Sequence, residues 1–301
     1  MKKYFIYLKE RFPLNTHIPI IAIFTFSAIC FSLSATNSLE FIPISRYLLV
    51  FCLTFGLFLL LRISDEFKDH EDDMKYRKYL PVPRGLITLN QLKWVGIGII
   101  LVQAVILILN PAFLIIYCIT LVYLALMFKE FFIEHWLKEH QLAYVFSHMM
   151  IIPLVDLVAS SAHWSFEGIN PPAALGWFFA VSFFNGILLE FGRKIKMPEH
   201  EEEGVVSYSK LWGMHNAVKV WIGVLITTFT FAVIAAQVID SPVWVYYLLV
   251  VFALIALGIA LQFLLNPTQK KAKLIEVISG IWTMGMYLNL GALPFIFEHW
   301  I

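Results

Sequence analysis

Charged residues are scarce in this sequence. Only 14% of its 301 residues are Asp, Glu, Lys or Arg, and 60% are hydrophobic. An average globular chain has about 25% charged residues, so this composition excludes an ordinary soluble domain. The formal net charge of +1 says nothing about binding partners. For a chain this apolar we expect no nucleic-acid partner.

Cysteine is also rare, and the chain has no low-complexity segment or long linker. The three cysteines, Cys30, Cys52 and Cys118, lie within apolar runs and have no motif spacing. We interpret them as small hydrophobic side chains, so neither a disulfide nor a thiolate site is expected. Residues 1–301 are therefore interpreted as one transmembrane domain, and no obligate protein partner is evident.

Long apolar runs account for most of the chain. A helix needs roughly 20 apolar residues to cross the hydrocarbon core of a bilayer. The sequence contains nine such runs and therefore predicts an all-α, multi-pass membrane protein embedded in a lipid bilayer. The predicted spans lie near residues 17–36, 45–63, 89–109, 111–128, 141–161, 172–190, 214–237, 242–265 and 276–297.

Lysine and arginine are distributed unevenly between the two ends of the predicted spans. If the N-terminus is inside, Arg46 is the one residue among the 22 basic residues that falls on the outer side. Basic residues accumulate in cytoplasmic loops. We therefore expect a cytoplasmic N-terminus in a bacterial inner membrane or an equivalent membrane. The two longest loops, about 64–88 and 191–213, would then be cytoplasmic as well.

Acidic residues cluster at the inner end of the second span, where a carboxylate is costly and often marks a site. If this span continues as a helix, Arg62, Glu66, Asp69 and Asp73 lie within an arc of roughly 60°, with Asp65 beside them. Like charges at this spacing repel each other, and a Mg²⁺ ion that bridges to a diphosphate would compensate. The alternative is a solvated helix end that only anchors the span.

Basic residues follow this acidic cluster in a segment that contains two prolines. Pro81 and Pro83 interrupt a helix, so we predict an ordered loop that projects Arg77 and Arg84. Basic side chains beside a carboxylate site suit a phosphate ligand. For each of them, simple anchoring by positive charge at the inner surface is the alternative.

A second charged cluster begins with Glu190 at the inner end of the sixth span. Arg193 and Lys194 follow it and lie on the same side of a helix, within an arc of roughly 100°. We interpret both as cations that contact a diphosphate directly, with Glu190 as a metal ligand. The alternative is an i,i+4 ion pair between Glu190 and Lys194 that only caps the span.

Some polar residues lie deeper in the predicted spans. His148 and Asp156 share a face of the fifth span, and Asn185 lies in the sixth. We interpret these side chains as forming hydrogen bonds between helices. Aromatic residues make up 16% of the chain, and some of them could line an apolar chamber and stabilise a carbocation.

The first acidic cluster resembles the motif of a known enzyme family. Asp65-Glu66-x-x-Asp69-x-x-x-Asp73 is similar to the Asn-Asp-x-x-Asp-x-x-x-Asp motif of the UbiA superfamily of intramembrane prenyltransferases. The stretch Arg77–Gly85 resembles the Arg-x-x-x-Arg-Pro-x-x-x-Gly segment that follows that motif. The departures are Asp65 in place of Asn and Glu66 in place of Asp.

The second cluster resembles the second acidic motif of the same family in part. Glu190 matches its first acid, and the residues 204–207 resemble its trailing Gly-Val-x-Ser. Arg193 and Lys194 stand where the family has further acids.

The resemblance implies a nine-helix bundle around a central cavity and a Mg²⁺-dependent prenyltransferase. Such an enzyme ionises a prenyl diphosphate and transfers the prenyl group to a lipophilic acceptor. It often carries a basic residue near the diphosphate where this chain has Lys129. The expected metal ligands are Glu66, Asp69, Asp73 and Glu190, with Asp65 also catalytic. The expected substrate-binding residues are Arg62, Arg77, Arg84, Lys129, Arg193 and Lys194.

Two other functions stay open at this point. A UbiA-type terpene cyclase uses the same ionisation but lets the cation react with its own double bonds. An ion-coupled transporter could bind its cation with the acids. Transporter sites usually lie near the membrane midplane, however, and these acids cluster at one membrane face.

Overall fold

The computed structural model describes residues 2–38 and 40–299, and this part of the chain is a bundle of helices without a strand. The α-helices are α1 (Lys2–Arg11), α2 (Leu14–Ser34), α3 (Ile44–Lys68), α4 (His70–Tyr76), α5 (Leu89–Leu109), α6 (Leu114–Phe128), α7 (Glu134–Glu139), α8 (Gln141–Met149), α9 (Ile151–Trp164), α10 (Leu175–Arg193), α11 (Tyr208–Trp212), α12 (Met214–Val238), α13 (Val243–Leu265), α14 (Gln269–Tyr287) and α15 (Leu293–His299).

Nine segments of the described residues are long and apolar enough to cross a membrane, which confirms the nine predicted spans. The fifth span combines α8 and α9, and the ninth runs through α14 and α15. Side chains such as Leu109 and Leu265 project from the outer surface of the bundle, where lipid is the expected surrounding. The protein is therefore a multi-pass membrane protein.

Two spans are interrupted close to a proline. Pro153 has no N–H to donate to the carbonyl of Met149, and α8 ends at Met149. Pro294 likewise has no N–H to donate to the carbonyl of Leu290, which lies in a π-helical turn over Leu288–Ala292. Proline thus explains why these spans are not single straight helices.

Close packing at the π-helical turn requires a glycine. A Cβ atom on Gly291 would collide with the backbone of Ser27 in α2. The turn and α9 are the main neighbours of α2, while α10 packs against α9, α12 and α14. These contacts place α10, which carries the second charged cluster, inside the bundle.

Hydrogen bonds between helices confirm the interpretation of Asp156 and Asn185. Ser182 on α10 and Tyr287 on α14 both donate to the Oδ2 of Asp156 on α9, Tyr287 at 2.9 Å. The Oδ1 of Asn185 accepts from Thr228 at 2.9 Å and from Trp282 at 3.0 Å. The polar groups thus hold four helices together in the apolar interior.

Candidate active site

The helix that carries the first acidic cluster ends earlier than the sequence predicted. α3 ends at Lys68 and α4 begins at His70, so the acids do not lie on one uninterrupted helix face. The backbone still donates from Asp69 to Asp65 at 2.9 Å and from Asp73 to Asp69 at 2.8 Å. A bend at Asp69 divides the segment into two helices, although i→i−4 hydrogen bonds run through it.

Glu66 is buried and is held by an arginine from another helix. The Nε of Arg11, at the end of α1, lies 2.6 Å from the Oε1 of Glu66, and the Nη2 of Arg62 lies 3.4 Å from the same oxygen. Glu66 is only 1% exposed, and a buried carboxylate needs such a partner. The charge pattern of the sequence predicts Arg11 only as an inner-side charge. Its position just before the first span is the signal that could have found it.

Asp73 forms the second half of this site. The Nη2 of Arg77 lies 2.6 Å from the Oδ1 of Asp73, which is buried. Burial raises the pKa of Asp73 above its usual value; Arg77 opposes this shift, whereas the charge of Asp69 adds to it. The charge of Arg11, which contacts Glu66, also lowers the pKa of Asp73. We call Arg11, Arg62, Glu66, Asp73 and Arg77 the arginine–acid cluster.

The electrostatics of Arg11 support this grouping. Burial disfavours the guanidinium charge, but the hydrogen bond to Glu66 and the charges of Glu66 and Asp73 outweigh it and raise the pKa of Arg11. Arg11 therefore stays positively charged beside Glu66.

The second charged cluster lies at the end of α10 and is internally paired. Both carboxylate oxygens of Glu190 are occupied, Oε1 by Lys194 at 2.6 Å and Oε2 by Arg193 at 2.5 Å. The charges of Arg193 and Asp65 also influence each other across the helix ends. The two clusters therefore lie at the same end of the bundle, near enough for these charges to interact.

The two long loops contact each other above these helix ends. Gly204 has a positive φ of 74°, and a Cβ atom there would collide with the ring of Tyr76. Tyr79 donates a hydrogen bond to the Oε2 of Glu202 at 3.3 Å. A glycine at position 204 thus permits the close approach that joins the loops.

Two predicted substrate-binding residues have other contacts. Arg84 pairs with Glu10 of α1 at 2.7 Å. The ammonium group of Lys129 lies 5.4 Å from the ring centroid of Phe128. Within residues 2–38 and 40–299, neither of them forms an ion pair with an acid of the predicted site.

A polar network that the sequence motifs did not reveal links the C-terminal ends of α3 and α6 to α8. The Oε1 of Glu130 lies 2.6 Å from the Nζ of Lys68, and the Oε2 of Glu130 lies 3.1 Å from the Nε2 of His148. Lys68 also donates a hydrogen bond to the hydroxyl of Tyr144 at 2.8 Å. Burial raises the pKa of Glu130, but the hydrogen bonds from His148 and Lys68 outweigh burial and lower it overall. Residues 130–132 all have positive φ, so this network holds a strained turn.

The acids of the first cluster fit a divalent cation better than Glu190 does. The Oε2 of Glu66 is buried and has no hydrogen-bond partner, and carboxylate oxygen is the donor that Mg²⁺ prefers. Both oxygens of Glu190 are already paired with cations. Within the described residues no three acidic, histidine or cysteine side chains form a ready metal cage. Mg²⁺ often binds through one or two carboxylates plus substrate phosphates, which suits the first cluster.

The fold and this charged end define a class, the multi-pass membrane proteins with paired acidic and basic groups at one end of an apolar bundle. The profile of the UbiA prenyltransferase family matches residues 68–290, more than half of the sequence. The chain belongs to the UbiA prenyltransferase family.

A solved structure supports the fold assignment. That structure is described as "Structural and mechanistic insights into the biosynthesis of Digeranylgeranylglyceryl phosphate synthase in membranes". The TM-score is 0.65 at 19% identity, over 96% of this chain and 99% of that chain. A comparison with curated proteins gives no significant match. The structural likeness at this identity establishes a shared fold, and the family match supports a prenyltransferase.

Proposed function

We propose that the protein is an intramembrane, Mg²⁺-dependent prenyltransferase that ionises a prenyl diphosphate and transfers the prenyl group to a lipophilic acceptor. The observation that carries the proposal is the arginine–acid cluster. Three arginines and two buried carboxylates converge there from α1, α3, α4 and the following loop residue. This arrangement suits a ligand with several negative charges at the end of an apolar bundle.

Cationic side chains would hold the diphosphate. Arg62 and Arg77 border the acids from one side, and Arg193 and Lys194 approach from α10. Hydrogen bonds to charged groups contribute about 1.5–3 kcal/mol each. Arg11 joins this set, because its guanidinium contacts the buried Glu66 at 2.6 Å. Arg84 and Lys129 are proposed to act at the rim, as the family resemblance implies.

The acids would bind the metal that accompanies the diphosphate. Glu66 is the leading ligand because one of its buried oxygens has no partner, and Asp73 is the second. Asp65 and Asp69 complete the acidic rim, and Glu190 is proposed to orient Arg193 and Lys194 or to serve a further ion. A bound Mg²⁺ supplies positive charge that stabilises the leaving diphosphate.

The reaction begins with cleavage of the bond between the prenyl C1 and a diphosphate oxygen. The bonding electron pair goes to that oxygen, where the fixed cations stabilise the developing charge. The resulting allylic cation needs an apolar, water-poor chamber until the acceptor attacks C1 and gives up a proton. The ring of Tyr287 makes a tilted contact with Phe24 and an edge-on contact with Phe178, with centroids 4.8 and 5.6 Å away, so the bundle contains aromatic rings that could stabilise such a cation.

Product analysis tests this proposal and separates it from cyclisation and transport. The purified protein is incubated with C10 to C20 prenyl diphosphates and a native lipid extract, with Mg²⁺ or with EDTA. Mass spectrometry should detect a prenylated lipid only with Mg²⁺. A cyclic hydrocarbon or alcohol without acceptor would identify a terpene cyclase. Cation flux in proteoliposomes without turnover of any prenyl diphosphate would identify a transporter.

The distribution of lysine and arginine supports a cytoplasmic location for the proposed active site. The arginine–acid cluster lies at the same end of the bundle as the lysines of α1, and this end is proposed to face the cytoplasm. Protease accessibility of the loop 191–213 in sealed inside-out vesicles, but not in right-side-out vesicles, is the expected result.

A further inference from the structure

The N-terminal helix α1 has one face that packs against the bundle. The members of this face recur at the i, i+3, i+4, i+7 spacing of a helix, and they are Tyr4, Tyr7, Leu8 and Arg11. The first three belong to or pack against a small hydrophobic cluster that is separate from the main core and includes Ile63. Arg11 contacts Glu66. These contacts fix which side of α1 is turned away from the bundle.

The opposite face of α1 combines lysines with apolar side chains. It has the same spacing and consists of Lys2, Phe5, Ile6 and Lys9, and we call it the outer face of α1. Both lysines are exposed, and the ring of Phe5 is 67% exposed. Apolar side chains flanked by lysines are typical of a helix in a membrane interface. There the ring enters the boundary of the acyl chains and the lysines reach the head groups.

The neighbours of α1 place it at one edge of the membrane. The cluster that receives Tyr7 contains Ile63, near the C-terminal end of α3, and Leu92, in the first turn of α5. α3 and α5 are membrane spans, so α1 packs where these two spans end. Trp94, in the same part of α5, is 65% exposed, and tryptophan is enriched at membrane interfaces. The outer face of α1 therefore lies at the depth of the head groups of one leaflet.

The lysines of the outer face keep their charge for a partner outside the helix. Glu10 is the acidic residue of α1, and its Oε1 lies 2.7 Å from the Nη2 of Arg84. The pKa of Glu10 is lowered chiefly by this hydrogen bond, and the charge of Lys9 contributes less. Arg84 thus takes the acid of α1, and Lys2 and Lys9 are left to face the head groups.

We infer that the outer face of α1 is a lipid-binding surface that docks on anionic phospholipid head groups of the adjoining leaflet. Phe5 and Ile6 enter the boundary between head groups and acyl chains, and Lys2 and Lys9 contact the phosphates. This surface is on the side of α1 opposite to the arginine–acid cluster. The inference therefore stands whether or not the protein transfers a prenyl group.

Hydrogen exchange of α1 in nanodiscs tests the inference on the intact protein and needs no turnover. The nanodiscs contain phosphatidylcholine alone or with about 30% phosphatidylglycerol, and mass spectrometry follows deuterium uptake by residues 2–11. The anionic lipid should slow this exchange at least about threefold, because lysines near a negative membrane surface are attracted to it. Raising the salt concentration to about 0.5 M should remove most of the slowing, since salt screens exposed charges.

Two double variants assign the effect to the outer face. Lys2→Gln/Lys9→Gln removes the charges of that face and should abolish the slowing by phosphatidylglycerol. Lys219→Gln/Lys270→Gln removes two exposed lysines from α12 and α14 and should respond to the lipid like the wild type. Persistent slowing in Lys2→Gln/Lys9→Gln would overturn the inference. An equal loss of slowing in Lys219→Gln/Lys270→Gln would overturn it too, because diffuse positive charge would then account for the effect.

The wild type and Phe5 keep the inference testable if the double variants do not fold. Equal exchange of wild-type α1 with and without phosphatidylglycerol would overturn the inference without any variant. Phe5→Ser removes the ring from the acyl boundary and should speed exchange of α1 in both lipids, whereas Phe5→Trp should not. Exchange of Phe5→Ser at the wild-type rate would contradict insertion of this face into the interface.

Discussion

The Nε of Arg11 lies 2.6 Å from the Oε1 of Glu66, and this ion pair joins the N-terminal helix to the end of the second span. The two residues are far apart in sequence, yet the pair closes one side of the arginine–acid cluster. A charged residue outside the recognised motif thus helps to determine how its acids are presented.

Asp73 should be needed for turnover, whereas its neighbour Asp72 should not. Asp73 is buried beside Arg77, and Asp72 is exposed. Asp73→Asn keeps the size of the side chain but removes its charge, so prenyl transfer should fall at least a hundredfold, about 2.7 kcal/mol of barrier. Asp72→Asn should retain activity within threefold. Size-exclusion profiles in detergent should be the same for both variants. Similar rates for Asp73→Asn and the wild type would remove Asp73 from the site. We expect Asp69→Ala to behave like Asp73→Asn.

Lys194 should contribute to diphosphate affinity in addition to pairing with Glu190. Lys194→Gln should weaken binding of a prenyl diphosphate about tenfold or more, as expected for loss of one charge-assisted hydrogen bond, and should spare an uncharged prenyl alcohol. Lys196→Gln is the control, because Lys196 pairs with Glu202 of the loop at 3.6 Å. If Lys194→Gln lowers Tm but binds the diphosphate normally, the residue only caps α10. An equal loss of affinity for the prenyl diphosphate and for the prenyl alcohol would also contradict a role in diphosphate recognition.

The sequence could predict the spans because membrane-length apolar runs leave few alternatives to a helix. Leu89–Leu109 has the bounds that were predicted, since Thr88 and Gln91 form a capping box at its start and apolar residues fill its length. The sequence could not predict the end of α3 at Lys68. Acids at helical spacing are compatible with a regular helix, and only the tertiary structure shows the bend.

The sequence also could not predict the ion pairs that join distant segments of the chain. Arg11, Lys68 and Glu130 belong to different segments, and their contacts depend on how the helices pack. Lys129 was favoured as the basic residue near the diphosphate, but its neighbour Glu130 forms the ion pairs with Lys68 and His148 at this helix end. A motif identifies which residue types are present at a helix end. A motif does not determine which residue each of these side chains contacts in the folded protein.

Glu130 should make stability depend on pH in the acidic range. Its pKa in the folded protein is lowered, because the hydrogen bonds from His148 and Lys68 outweigh burial. A lowered carboxyl pKa contributes stability above the unfolded value, and this contribution is lost as pH falls through the folded value. The Tm difference between wild type and Glu130→Gln should therefore be largest at about pH 6–7 and shrink below about pH 4.5. A difference that grows on acidification would contradict this assignment. Lys68 and His148 are the groups that face Glu130.

Tyr287 should stabilise the bundle through its hydrogen bonds to Asp156 and Ser182. Tyr287→Phe removes these bonds and should lower stability by about 0.6 kcal/mol, the average measured for hydrogen bonds between membrane helices, and by no more than about 1.7 kcal/mol. Tyr247→Phe, on an exposed position of α13, is the control. Denaturation of both variants in mixed micelles measures the effect. A Tyr287→Phe protein as stable as the Tyr247→Phe protein would show that this network contributes nothing net.

Prenyl transfer by Glu66→Gln, measured across a Mg²⁺ titration, tests the central claim most directly. Glu66 is buried, has one unpartnered oxygen and contacts two arginines. The wild type should form a prenylated lipid that disappears with EDTA and returns with Mg²⁺. Glu66→Gln should need at least tenfold more Mg²⁺ or show no turnover, while Asp72→Asn follows the wild type. Turnover by Glu66→Gln with the wild-type Mg²⁺ dependence, or wild-type turnover in EDTA, would contradict the assignment of this cluster as the metal–diphosphate site.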